Sequence, residues 1–405
     1  MVRGRKRSGG CLGLSAPPGG LGGKLYRQRF QPFQGARHGL RDQELNIEPP
    51  RAFAGRGSHC RRPVAGGRAA AQGTTSKVVA WETGYLGFFF FVVLQEALKR
   101  KVEGLGLEFV GKDANGDANA QVNDWNSLLL QKPRYLISDA LDSELLIPLS
   151  KKAKSLGVPL GMVDTVLTGG EVAASVTFDN KQSGVMAAEK TAELLTKKHG
   201  SPKGSVLNNY GSLTAVALRD RKDGFEDTLK SKYPDIEIIS RPQNNQHEQA
   251  LAVVSATLRE RPDLDAIHMP TDIFVVDARK ALETQKRLFP VGHEKHIILT
   301  SIDASPNALE WVKAGEIDAD IAQDPIAYVE IVVDLLEEYT LKGKPVPIGP
   351  YANKKYFWEK GTIADSPSGP LLTIPPYFLT KENADDPRHW ANVVTQVWKM
   401  QQNAG

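Results

Sequence analysis

The sequence predicts an α/β protein of two similar Rossmann-like lobes with parallel sheets, and three observations predict it. From residue 77 onward, short apolar runs rich in Val, Ile and Leu alternate with stretches of helical period. The runs are apolar on both strand faces, as in parallel sheets covered by helices on either side; a sheet with one wet face would alternate. The alternation halts and restarts once, giving two rounds of about four strand–helix units, which is two domains' worth of chain.

In the first round, residues 77–81, 107–110, 135–138 and 159–163 read as strands. Between them, 117–131 places Val122, Trp125, Leu128 and Leu129 on one helical face. In the second round, 205–207, 236–239, 266–269 and 297–302 read as strands, with helices over 214–230, 247–260, 272–285 and 305–314. A last strong helix covers 325–340, where Val329, Val332, Val333 and Leu336 share a face. Residues 345–405 are rich in Pro, Gly and aromatics and read as an irregular C-terminal extension. The expected division is a first lobe of 75–178 plus 324–344 and a second of 179–323, joined by a three-segment hinge.

The first 74 residues are unlike the rest. They hold 14 Lys and Arg against three acids, 15 of the 37 glycines, and both cysteines, Cys11 and Cys60. The remainder carries 37 basic against 44 acidic side chains, so the overall charge of +4 averages a basic segment with an acidic body. With no amphipathic period, residues 1–74 cannot build a core. They read as a disordered tail or as a leader translated from a wrong start or frame. A basic start at 3–7 and a cleavage-like 69–72 lack the apolar stretch that a secretory signal needs between them. No apolar run in the chain approaches the ~20 residues of a membrane-spanning helix.

Motifs for catalysis fail in turn. Residues 106–113 nearly match a phosphate-binding loop, but Asp113 stands where a Ser or Thr must hold magnesium, and the interior reads as a strand. Residues 113–117 begin like a calcium loop, yet Ala118 replaces the turn glycine, so a solvated loop with a helix cap fits better. His293 and His296 have no further metal-ligating partner nearby. There is no nucleophile elbow, no H-E-x-x-H and no dinucleotide fingerprint after the first strand. A cleft that binds without reacting is the reading left, with neither cofactor nor metal expected.

Several segments, in order, carry a resemblance: the phenylalanines at 88–91, 139–143, 157–164, 177–180, 219–225, 301–303 and 321–325. Over 78–344 the chain resembles the type 1 periplasmic sugar-binding proteins, the ribose-binding-protein-like subunits of ABC sugar importers. The resemblance implies a sugar held between two closing lobes by aromatics on its ring faces and polar groups on its hydroxyls. It places Phe90 and Phe91 on the ligand, with the rest of that run in the core. It also assigns Asp139, Asp164, Arg219, Asp303 and Gln323 to the sugar, while Arg221 is expected to face solvent. Asp139 and Asp164 also end predicted parallel strands, where open α/β sheets bind ligands, although either could be a plain helix cap.

Three positions depart from the family pattern: Thr165 stands for an Arg, Asn245 for an aromatic and Thr271 for an Asn. Three acids against one Arg disfavour an anionic cargo and suit a neutral sugar, a polyol or an amino sugar. The resemblance implies a monomer that delivers a carbohydrate or polyol to an ABC permease from the periplasm, without nucleic acid. A lactose-repressor-type regulator shares such a body, but the Pro and Gly spacing of 1–74 forbids a DNA-binding helix pair. A sugar sensor that signals to a membrane receptor and a sugar-modifying enzyme are two further rival readings.

Overall fold

The computed structural model describes residues 76–402, so the expectations for 1–74 and for Cys11 and Cys60 lie outside the described residues. The chain runs β1 (Val78–Thr83), α1 (Phe89–Gly104), β2 (Glu108–Asp113), α2 (Ala118–Leu130), β3 (Tyr135–Ser138), α3 (Ile147–Ser155), β4 (Leu160–Val163) and β5 (Ala174–Phe178). It continues through α4 (Asn180–His199), β6 (Gly204–Tyr210), α5 (Val216–Lys232), β7 (Ile236–Pro242), α6 (His247–Glu260), β8 (Ala266–Met269), α7 (Val275–Thr284), β9 (Ile298–Asp303), α8 (Pro306–Ala314) and β10 (Ala319–Ala322). It ends with α9 (Pro325–Glu338), β11 (Gly349–Ala352), β12 (Lys360–Ser366), β13 (Gly369–Ile374), β14 (Tyr377–Leu379) and α10 (Trp390–Asn392).

Two sheets result, ordered β11-β12-β13-β5-β4-β3-β1-β2 and β14-β10-β9-β8-β6-β7. Neighbours from β5 to β2 and from β10 to β7 pair in parallel. The central strands β3, β4, β5, β8 and β9 are buried along their whole length, which is why their sequences do not alternate. Among the described residues no helix is long and apolar enough to cross a membrane.

The C-terminal segment is more regular than its composition suggests, and it relocates one crossing between the lobes. After α9, the chain stays in the first lobe and adds β11, β12 and β13 to that sheet, with β13 parallel to β5. It then crosses at Pro375 and Pro376, and β14 pairs antiparallel with β10 in the second sheet. The three crossings are therefore Asp179, the pair Gln323 and Asp324, and Pro375–Pro376, rather than one near 344. The first and third are tied together where the Asp179 N–H donates to the Ile374 carbonyl at 2.9 Å. Asp324 caps α9 through the Ala327 N–H at 3.0 Å and accepts from Trp358 Nε1 at 3.3 Å.

Behind the second lobe, α4 and α5 lie unusually close because glycines face each other's backbones. A Cβ on Gly184 would sit 2.2 Å from the Arg221 carbonyl oxygen, and one on Gly224 would sit 2.2 Å from that of Lys181. This contact fixes the height of α5, and with it Arg221. Gly184→Ala and Gly224→Ala should each lower stability by about 1–3 kcal/mol through overpacking. Gly104→Ala, at the open end of α1 with nothing within 4 Å, should instead raise it by up to ~1 kcal/mol. Thermal melts of the three variants check the opposite signs.

Candidate functional site

The facing carboxyl ends of the two sheets enclose a cleft between the lobes, where open α/β sheets bind ligands. The first lobe contributes Tyr85, Phe88, Phe90 and Phe91 around the start of α1, and Asp164 and Thr165 after β4. The second contributes Arg221 from α5, Asn245 after β7, Thr271 and Phe274 after β8, and Asp303 at the end of β9; Gln323 comes from the crossing after β10.

At the floor lies a buried ion pair. Arg221 Nη1 donates to Asp303 Oδ1 at 2.9 Å and to the Pro270 carbonyl at 2.7 Å, and its Nε donates to Asn180 Oδ1 at 2.8 Å. Gln323 Nε2 also donates to Asp303 Oδ1, and Thr271 Oγ1 donates to Oδ2. Tyr328, on α9 of the first lobe, donates its hydroxyl to Gln323 Oε1 at 2.6 Å. Burial raises the Asp303 pKa, against the opposing pull of Arg221. Asp164 is pushed up to about 6, mainly by burial, with Arg221 lowering it and the Asp303 charge raising it.

Backbone strain marks the same positions. Asp164 has φ 56°, Ala304 57° and, least accessible to a residue with a Cβ, Asp303 128°. The Asp303–Ala304 turn is held from behind. Asp320 accepts from the Ala304 N–H at 2.8 Å, Asp272 from the Ser305 N–H at 2.7 Å, and Trp390 Nε1 donates to the Asp303 carbonyl at 3.0 Å. The Trp390 indole also stands perpendicular to Phe90, with centroids 5.9 Å apart, and so links the last segment of the chain to both lobes.

Of the residues expected at the site, Phe90, Phe91, Asp164, Asn245, Thr271, Asp303 and Gln323 are brought to this cleft. Two are not. Arg219 is half-buried elsewhere on α5, and the residue in the cleft is Arg221, only 3% exposed rather than solvent-facing. The reason is helical phase: Ala217, Leu218 and Arg221 share the inward face of α5, whereas Arg219 lies about 200° around from Ala217. Asp139 follows β3 as expected and is fully buried, but it does not line the cleft, although it is close enough to Asp164 for their charges to interact. There it adds to the burial that raises the Tyr85 pKa.

Asp139 belongs to a second, sealed group. Glu82 Oε2 accepts from Gln121 Nε2 at 2.7 Å, Ser138 Oγ at 2.9 Å and Trp125 Nε1 at 3.2 Å. Burial pushes Glu82 up to about 8 despite those donors. Asp139 is raised well above its ordinary value by burial and by the neighbouring Glu82. Sequence reading missed Tyr85, Arg221 and Phe274 and assigned Phe88 to the core although it lines the cleft; only the 3.6-residue phase of α5 could have signalled Arg221. The 113–117 loop is a turn and a cap, with Asp117 accepting from the Asn119 N–H at 2.8 Å. His296 is paired with Asp318 at 2.8 Å, and no metal-ligating cluster occurs among the described residues.

Two α/β lobes that enclose one polar-floored cleft and meet at three adjacent crossings define a hinge-type binding protein. Residues 83–345 match the periplasmic binding protein domain family, and the chain belongs to it. A curated relative, the ribose import binding protein of Bacillus subtilis, is 25% identical over 258 residues, covering 64% of this chain and 79% of that one. Among solved structures, a carbohydrate transporter solute binding protein from Agrobacterium radiobacter, in complex with D-arabinose, superposes with a TM-score of 0.66. It is 18% identical and covers 77% of this chain and 97% of its own. An ABC transporter solute binding protein from Mycobacterium smegmatis with bound glycerol gives 0.65 at 20% identity, covering 78% and 98%. These likenesses establish the fold: two parallel-sheet lobes of the type 1 periplasmic binding arrangement.

The buried acids make a signed prediction. With a folded pKa of about 8 against an ordinary 4.5, Glu82 contributes stability at low pH that is lost as pH rises through about 8. Glu82→Gln should therefore gain in melting temperature relative to the parent between pH 5 and pH 9. A difference that stays constant over that range contradicts the assignment.

Proposed function

We propose that the chain captures a sugar or polyol between its lobes in the periplasm and delivers it to the permease of an ABC importer. The observation that carries this reading is the floor of the cleft. Arg221 and Asp303 largely neutralise each other, leaving directional donors and acceptors without a net positive charge to hold an anion. Aromatic rings beside that floor provide apolar area for a sugar face. The sugar- and polyol-bound relatives support the same class of cargo.

Binding works by population shift. A ligand that touches Asp164 in one lobe and Arg221 in the other stabilises the closed arrangement over the open one. No side chain has to form or break a bond, so the protein acts as a carrier rather than an enzyme, and one chain suffices. With Asp164 beside the paired Arg221 and Asp303, the lining suits an uncharged molecule better than a sugar acid or phosphate.

A thermal-shift screen over neutral sugars, polyols and their acidic counterparts tests the reading, since a ligand that binds only the native state raises the melting temperature. Neutral members should stabilise the protein and acids should not. For any hit, Arg221→Ala should weaken binding by ~2 kcal/mol or more by stranding Asp303, with Arg221→Lys as a gentler check, while Arg219→Ala should stay within about 0.5 kcal/mol. Equal losses in the Arg219 and Arg221 variants would contradict the assigned cleft.

A further inference from the structure

We infer that Ser143 is a positioning residue that draws the lobes together before any cargo is bound, by capping α5 from across the cleft. This goes beyond the carrier reading: it concerns the two lobes alone and holds whatever the cargo is.

Helix α5 carries Arg221 and starts without a cap of its own. Helices α2, α4, α8 and α9 follow Asp117, Asp179, Ser305 and Asp324, whose side chains accept from N–H groups of their own first turns. The residue before α5 is Ala215, which has no side-chain oxygen to offer the free N–H groups of a helix start. The first lobe supplies one instead: the Val216 N–H, the first of α5, donates to Ser143 Oγ at 3.1 Å. Two more hydrogen bonds join the same pair of loops. The Ser143 N–H donates to the Thr214 carbonyl at 3.2 Å, and Thr214 Oγ1 donates to the Leu141 carbonyl at 3.3 Å.

The capping group is fixed within its own lobe. Asp142 Oδ1 accepts from the Glu144 and Leu145 N–H groups at 2.9 Å each, and the Thr168 N–H holds the Ser143 carbonyl at 3.1 Å. Ser143 is 1% exposed, so its bond to Val216 is shielded from water. It does not line the cleft, whereas Ala215, Ala217, Leu218 and Arg221 do, so Ser143 acts on a cargo only through α5. When the lobes part, water takes the place of Ser143 Oγ at Val216. A side-chain cap is worth about fivefold over water, and here that factor favours the joined lobes. Apparent affinity scales with the fraction of chain that is competent to bind. Loss of the cap would therefore weaken every cargo by one common factor and leave their ranking unchanged.

Spin-label distances on the full chain without cargo test this, with labels at Asn123→Cys on α2 and Glu248→Cys on α6, and Cys11 and Cys60 replaced by Ser. The parent should show a short component, at the spacing of the joined lobes in this structure, beside a longer one. Ser143→Ala should lower the ratio of short to long about fivefold. Thr214→Val removes a cross-lobe bond from the opposite side with little change of shape, and should lower the ratio about twofold. Thr168→Val removes only a bond inside the first lobe, from Thr168 Oγ1 to the Ser143 carbonyl at 3.4 Å, and should leave the ratio as it is. A parent with no short component, a ratio that Ser143→Ala leaves unchanged, or an equal fall in Thr168→Val overturns the inference. Each of these leaves the carrier reading standing, because none of them involves a cargo.

Discussion

The rest of the structure depends on the buried pair between Arg221 and Asp303, 2.9 Å apart. A buried ion pair is weak evidence for net stability, because desolvating two charges offsets most of their attraction. Its value here is geometric. Arg221 binds Asn180, the first residue after the Asp179 crossing, and Asn180 in turn donates to the Phe178 carbonyl of β5 at 3.1 Å. Asp303 binds Gln323 of the second crossing, which Tyr328 holds from the first lobe. Floor and hinge are thus one hydrogen-bonded network, so a ligand that reorients the floor acts directly on the crossings.

The strained turn at Asp303 shows what that network must hold. A φ of 128° outside glycine costs free energy, and it is maintained by Asp320, Asp272 and Trp390 from three different elements. Burial pushes Asp320 up to about 7 and raises Asp272 well above its ordinary value, with neighbouring acids contributing to both. Trp390 belongs to a segment that has crossed at Pro375 and Pro376, where two prolines restrict the backbone. The C-terminal segment thus braces Phe90 and the Asp303 turn together.

Much of this was legible in the sequence where burial is continuous. The strands at 135–138 and 266–269 fall where the apolar runs place them, since a strand covered on both faces has no polar positions to blur its ends. Asp164 was legible because parallel strands end at the ligand side, although the same rule pointed to Asp139, which does not line the cleft, and Asp303 was reached through the family resemblance. Strands β11 and β12 were hidden because they lie at a sheet edge, where polar and apolar residues mix and Pro and Gly are tolerated. Arg219 and Arg221 are separable only by knowing which residue starts the helix, and helix starts are poorly fixed by composition. The burial of Asp139 near Tyr85 and the approach of Trp390 to Asp303 are tertiary facts with no local signature.

The central claim is that ligand contacts in both lobes draw a hinged cleft shut. It is tested most directly by a spin-label distance measurement between the exposed positions 123 on α2 and 248 on α6. The labels would sit on Asn123→Cys and Glu248→Cys in a chain whose Cys11 and Cys60 are replaced by Ser. With a sugar or polyol that raises the melting temperature, the distance distribution should narrow and shift to shorter values. A distribution unchanged at saturation would contradict closure as the mechanism.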